Sequence, residues 1–126
     1  MDEDQSEQVL FIGGSRSFVS YHLLSSTIRL LIEQGILRVP FSIISGGAKG
    51  ADDLAEKYAN YNNIPFTLYE ARWDLYGKSA GFKRNNTLVV MSDIQLFFWD
   101  GKSNGTRHAF NLAYKQNPDT TFIVFY

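Results

Sequence analysis

Five short apolar runs alternate with stretches of helical period along this chain, and few folds accommodate that order. The runs are VLFI (Val9 to Ile12), FSII (Phe41 to Ile44), PFTLY (Pro65 to Tyr69), IQLFFW (Ile94 to Trp99) and TFIVFY (Thr121 to Tyr126). Their length and aromatic or β-branched content read as buried strands. After the first run, Leu24, Ile28, Leu31 and Ile32 fall at helical spacing between about Val19 and Gln34, with Gly35 placed as a cap. After the second, Ala51, Leu54, Ala55, Tyr58 and Ala59 repeat at i, i+3, i+4, i+7 and i+8. Phe82 to Met91 and about Thr106 to Lys115 supply two more helices, while Ala71 to Gly81 reads as a long connection. Strands alternating with helices bury both faces of a parallel sheet. Right-handed crossovers then favour a single α/β, Rossmann-like, three-layer domain with strand order 3-2-1-4-5.

The 126 residues suit one domain, expected over residues 9–126. Residues 1–8 (MDEDQSEQ) read as an acidic flexible tail, the opposite of a signal peptide. Four carboxylates lie in that tail, so the remainder carries twelve basic and nine acidic residues, a balance of +3. That suits a small anionic ligand better than a nucleic-acid track. There is no cysteine, which removes disulfides, thiolate metal sites and cysteine nucleophiles and suits a cytoplasmic setting. His22 and His108 make no metal-ligand spacing. No apolar run approaches the roughly 18 residues of a membrane span.

In such a fold every strand-to-helix loop lies on one sheet edge, where ligands bind. Those segments are Gly13 to Ser17, Ser45 to Gly50, Ala71 to Gly81 and Asp100 to Thr106, and they hold nine of the ten glycines. With the first helical turns they also hold eight of the twelve basic residues: Arg16, Lys49, Arg72, Lys78, Lys83, Arg84, Lys102 and Arg107. Folding alone does not require that skew. Glycines let backbone approach a ligand, helix N-termini offer unpaired amides, and cations complete an anion site. In the stretch SGGAKG, Gly46 and Gly47 would form the tight turn, Gly50 would bring the helix close, and Lys49 would reach a phosphate. The stretch matches neither GxxxxGK[ST] nor GxGxxG.

IGGSRSF, SGGAKGADDLAEKYA, WDLYGKSAGFKRN and FWDGKSNGT, in that order, resemble the YspA-like branch of the SLOG superfamily, from about Val9 to the C-terminus. Its relatives include DprA and the LOG, or lysine decarboxylase-like, phosphoribohydrolases. The resemblance implies a Rossmann-like sheet and a nucleotide or nucleotide-derived ligand. It marks Gly14, Ser15 and Arg16; Gly46, Gly47, Gly50 and Asp52; Trp73, Gly77, Lys78, Gly81, Arg84 and Asn85; and Asp100, Gly105 and Thr106. The LOG enzymes carry PGGxGTxxE, whose glutamate takes part in N-glycosidic hydrolysis. In WDGKSNGTRHA, Gly105 and Thr106 match, but Ala109 stands at the glutamate position.

Each candidate has two readings. Arg16 either binds phosphate or bridges to Asp52. Asp52 either orients a ribose or water, or caps its helix. Trp73 and Tyr76, in a polar loop, either stack a nucleobase or form a lid. Lys78 and Arg84 are the best phosphate ligands, and Trp99 is expected in the core. Ser103, Asn104 and Thr106 are N-cap types that, with Gly101 and Gly105, could form a second anion seat, so that two seats straddle a diphosphate. His108, Asp52 and Asp100 are the candidate acids or bases. The expectation is a module that senses or sequesters a nucleotide-like ligand, with Mg2+ arriving only alongside phosphate and with self-association. The alternatives are hydrolysis of a nucleotide N-glycosidic or phosphate bond and DprA-like binding of single-stranded DNA, against which the weak positive balance argues.

Overall fold

A computed structural model describes residues 7–126. The expected acidic tail therefore falls, over residues 1–6, outside the described residues. At its other end the expectation needs adjustment, because Gln8 already opens the first strand. Its side chain accepts from the Arg38 amide at 2.7 Å and donates to the Ile36 carbonyl at 3.4 Å. Those bonds tie the strand's start to the approach of the next strand, which a polar tail composition does not reveal.

The elements are β1 (Gln8–Gly14), α1 (Tyr21–Glu33), β2 (Phe41–Ser45), α2 (Ala51–Tyr61), β3 (Phe66–Leu68), α3 (Trp73–Tyr76), α4 (Ala80–Met91), β4 (Ile94–Trp99), α5 (Asn104–Gln116) and β5 (Thr121–Phe125). The sheet has the expected order β3-β2-β1-β4-β5, and every pairing is parallel. The segment expected as a loop, Ala71 to Gly81, instead contains α3 and a 3-10 turn at Gly77–Ser79 that runs into α4. Here backbone bonding replaces apolar periodicity. The Arg72 carbonyl accepts from Leu75 and Tyr76, and Ser79 donates to the Tyr76 carbonyl.

The period-2 alternation of the central strands decides which helix covers which face. Leu10, Ile12, Ile43, Leu96 and Phe98 point to the side covered by α1 and α2, where Leu24, Ile28 and Leu31 of α1 and Ala51, Ala55 and Tyr58 of α2 meet them. Phe11, Ile44 and Phe97 point to the other side, against Leu88 and Val89 of α4 and Ala109 and Ala113 of α5. Burying each Leu, Ile or Phe contributes ~1.5–3 kcal/mol relative to exposure. The β1–β4 pair, aligned from Leu10↔Ile94 to Gly14↔Phe98, is the line at which the crossovers switch faces. No helix of the described residues is long and apolar enough to cross a membrane.

Candidate functional site

Strand order reverses at β1/β4, so the loops leaving these strands diverge and open a crevice at their C-terminal ends. A cleft of ≈ 440 Å³ occupies that position. The loop after β1 supplies Gly14 to Ser17, and the loop after β2 supplies Gly46 and Ala48. Asp52 enters from α2, Arg84 and Asn85 from α4, and Asp100 to Thr106 supply Asp100, Ser103, Gly105 and Thr106. Its apolar floor is Phe11, Phe97, Leu88 and Ala109, where the cleft reaches down between α4 and α5. The volume lies within the ~300–1,000 Å³ of small-molecule sites.

A chain of hydroxyls fixes the two central loops. Ser15, 1% exposed, donates its amide to the Phe98 carbonyl at 2.8 Å. The Asp100 amide donates to Ser15 Oγ at 3.0 Å, Ser15 Oγ lies 2.8 Å from Ser103 Oγ, and Ser103 Oγ donates to Thr106 Oγ1 at 3.0 Å. Because Ser103 gives its one proton to Thr106, Ser15 is the donor in the middle link. Asp100 Oδ1 accepts from the Lys102 and Ser103 amides at 2.8 and 2.9 Å. Those amides, Ser103's first, hold the Asp100 carboxyl below the usual carboxylate range. Asp100 is thus a turn-forming carboxylate, poorly suited to act as an acid. The first amides of α5, at the lip of the cleft, have no intrahelical acceptor by the geometry of any helix start.

Asp52 is the buried charge of the site, 7% exposed. Its Oδ2 accepts from the Ala48 amide at 3.0 Å. Burial pushes its carboxyl up to about 6, although the Ala48 amide, the Arg84 charge and, more weakly, Ser45 and Gly46 draw it back. The alternative of an Arg16–Asp52 bridge is not realised: Arg72–Asp74, at 3.0 Å, is the one direct ion pair among the described residues. Arg84 is half-buried, and burial lowers its pKa while Asp52 opposes that. Its Nη1 donates to the Gly46 carbonyl at 2.8 Å and its Nε to Asn85 Oδ1 at 3.1 Å. A guanidinium has five N–H groups, so the remainder have no protein acceptor among the described residues.

With Asn85 Oδ1 committed to Arg84, the Asn85 amide nitrogen faces His108 Nδ1 at 3.2 Å and must donate to it. His108 is therefore a neutral imidazole with its proton on Nε2, and burial lowers its pKa. It stacks on Phe82 with ring centroids 4.1 Å apart. His108 reaches the cleft only through Asn85.

Of the expected ligand residues, Gly14, Ser15, Arg16, Gly46, Asp52, Arg84, Asn85, Asp100, Ser103, Gly105 and Thr106 border one cleft. The others sit elsewhere. Ser45 lies beneath it, donating its hydroxyl to the Ile12 carbonyl at 3.0 Å. Gly50, at φ +79°, faces the carbonyls of Ser15 and Arg16, so its missing side chain brings two loops together rather than a helix to a ligand. Gly47 faces Leu68. Lys49, Lys78 and Gly101 are exposed and outside the cleft lining. Trp73 and Tyr76 stand on α3 rather than in a loop, away from the cleft. Trp99, expected in the core, is half-buried: its indole N–H donates to the Ser103 carbonyl at 3.0 Å, and the Arg107 guanidinium lies 5.4 Å from its ring. The apolar floor escaped the sequence reading, although Phe11 and Phe97 sit on the same sheet face as Gly13 and could have been placed by the period-2 rule.

A family model described as "YspA, cpYpsA-related SLOG family" matches residues 8–76. Gene 61 protein of Mycobacterium phage D29 is 40% identical over 80 residues, covering 58% of this chain and 63% of that protein. The chain thus aligns with less than two thirds of that relative's length. The family match ends at Tyr76, so the cleft residues of α4, β4 and α5 lie beyond it.

Proposed function

The chain belongs to the YspA, cpYpsA-related SLOG family, and from that premise we propose that it binds a nucleotide or nucleotide-derived small anion in the β1/β4 cleft, as a sensor or sequestering module. The observation that carries this reading is Arg84. A half-buried guanidinium with uncommitted N–H groups borders a cleft of ≈ 440 Å³ at the reversal point of the sheet. Donors with no protein acceptor at a cleft wall are open to a ligand, and a phosphate satisfies them in bidentate geometry. Arg16 and the first amides of α5 border the same space, and the apolar floor suits the less polar part of a nucleotide. Mg2+ would enter with a diphosphate; no group of three His, Cys, Asp or Glu suited to holding a metal occurs among the described residues. Calorimetry with AMP, ADP, NAD and cyclic nucleotides tests the reading. Binding of at least one that drops ~10–100-fold in Arg84→Ala supports it, as expected for a lost charge-assisted bond. Absence of binding to every one of them overturns it.

A second reading, hydrolysis of an N-glycosidic or phosphate bond, is favoured by one observation. Asp52 is a cleft carboxyl raised to about 6, in the range of a general acid or base at neutral pH. Product formation from these nucleotides that disappears in Asp52→Asn would favour it over simple binding.

A further inference from the structure

A depression of ≈ 220 Å³ is also bordered by Arg84. Arg84 borders both hollows, so they are neighbours that meet at this residue. Besides Arg84 this one is lined by Tyr69 just after β3, Glu70, Arg72 (paired with Asp74), Tyr76 on α3, and Ala80, Lys83 and Thr87 of α4. It is smaller than the ~300 Å³ floor for sites that enclose a whole small molecule. It can therefore hold one moiety of a ligand whose remainder lies in the larger cleft.

Its chemistry narrows the moiety. Two phenol rings line a space of that size, and Lys83 Nζ sits 4.9 Å from the Tyr76 ring centroid. Tyr76 is half-exposed, so much of its surface remains accessible to a planar group. Glu70 forms no hydrogen bond or ion pair among the described residues, although it borders the hollow. A carboxylate there accepts N–H donors, and Arg72, Lys83 and Arg84 on the same lining leave it the one side chain that can do so as an anion. Tyr rings and an uncommitted carboxylate match a nucleobase with an N–H donor edge. Guanine presents two such donors side by side, whereas adenine offers only its exocyclic amine.

We propose that the Tyr69–Tyr76–Glu70 hollow is a nucleobase subsite, selective for guanine-type over adenine-type bases, and that a nucleotide runs from it past Arg84 into the β1/β4 cleft. The proposal rests on the anion-binding reading of that cleft, and the test separates the two. Calorimetry is run on the full chain with GMP, AMP and ribose 5-phosphate, using wild type, Tyr76→Ala and Glu70→Gln, with melting curves confirming that each variant folds. Both substitutions are at exposed positions. In the expected result GMP binds more tightly than AMP, Tyr76→Ala weakens GMP about tenfold or more, as stacking losses do, and ribose 5-phosphate is unaffected. Glu70→Gln then erases the preference for GMP. If ribose 5-phosphate binds as well as GMP, or Tyr76→Ala changes both equally or neither, the subsite is refuted while the cleft reading stands. If GMP binds no better than AMP, or Glu70→Gln leaves a preference intact, the assignment to Glu70 is refuted. If none of the three binds, the subsite is refuted, and the cleft reading falls with it when ADP, NAD and cyclic nucleotides also fail to bind.

Discussion

The Arg84 guanidinium lies across the backbone of Gly46, where a side chain would otherwise be. Nη1 donates to the Gly46 carbonyl at 2.8 Å, and a Cβ on residue 46 would stand 2.6 Å from that same nitrogen. A glycine on α2's approach and an arginine on α4 therefore specify each other across 38 positions of sequence. The pairing sets the position of the cation between the cleft and the neighbouring hollow.

Gly46→Ala should expose this dependence. Residue 46 is absent from the glycines with positive φ, so alanine meets no backbone penalty there. The conflict is with the mobile end of a side chain, which can move aside at small cost. The expected outcome is a melting temperature within a few degrees of wild type with ligand affinity reduced about as much as in Arg84→Ala, on the order of tenfold or more. The double variant should then be little worse than either single one, because both remove the same interaction. Additive losses in calorimetry would mean that Gly46 does something other than seat Arg84.

Gly50→Ala should behave in the opposite way. Its φ of +79° is a conformation that alanine adopts only under strain, and a Cβ there would overlap the carbonyls of Ser15 and Arg16. Backbone cannot swing aside as a side chain does. Strain of this kind costs ~1–3 kcal/mol before the steric overlap is added. Urea unfolding should register a loss of at least that size, with any loss of binding following from the displaced β1 loop. A variant as stable as wild type would refute the tight contact between the two loops.

Asp52 should leave a signature in the pH dependence of stability. Its folded-state pKa of about 6 lies above the model-peptide value of 3.8, with burial as the largest cause. The folded chain therefore holds this proton over a range in which the unfolded chain has released it. Stability from the neutral carboxyl is complete below about 3.8 and disappears as pH rises through about 6. Asp52→Asn keeps an oxygen to accept from Ala48 and removes the titration. Between pH 4 and pH 7.5 the variant should gain on wild type by up to about 3 kcal/mol, read from urea unfolding at both values. A difference between the two proteins that does not change with pH would contradict the raised pKa.

These residues also show where the sequence was informative. Strand order followed from chain-wide alternation, because a parallel sheet with right-handed crossovers admits few arrangements of five strands. The crevice followed in turn, since the topology fixes which edge gathers the loops. Within the loops, composition identified small and cationic residues but not their partners. Lys49 and Arg16 are equally basic in sequence, yet only Arg16 borders the cleft. Gly46, Gly47 and Gly50 look alike, yet they face Arg84, Leu68 and the β1 loop respectively. Such assignments depend on long-range packing, which local pattern does not encode. The segment Trp73 to Ser79 is illegible in the sequence for the converse reason. Its side chains are exposed, so it lacks the apolar period by which a helix is recognised, and short-range backbone bonds define it.

Ser15→Ala should test whether the hydroxyl chain maintains the cleft. Ser15 Oγ is buried between two loops, accepting from the Asp100 amide at 3.0 Å and meeting Ser103 Oγ at 2.8 Å. Alanine fills nearly the same space, so the substitution removes hydrogen bonds with little change in packing. The Asp100 amide loses its acceptor, and Ser103 loses a donor. An unsatisfied buried group costs ~1–3 kcal/mol, and that loss should appear as a lower urea midpoint. The local effect is more diagnostic. Amide exchange at Asp100 should accelerate beyond what the global loss of stability explains, because its acceptor is gone while the Phe98 carbonyl still holds the residue 15 amide at 2.8 Å. Unchanged exchange at Asp100 would show that the loop after β4 is held by its own Asx turn, through the Asp100 carboxylate and the Lys102 and Ser103 amides, without help from β1.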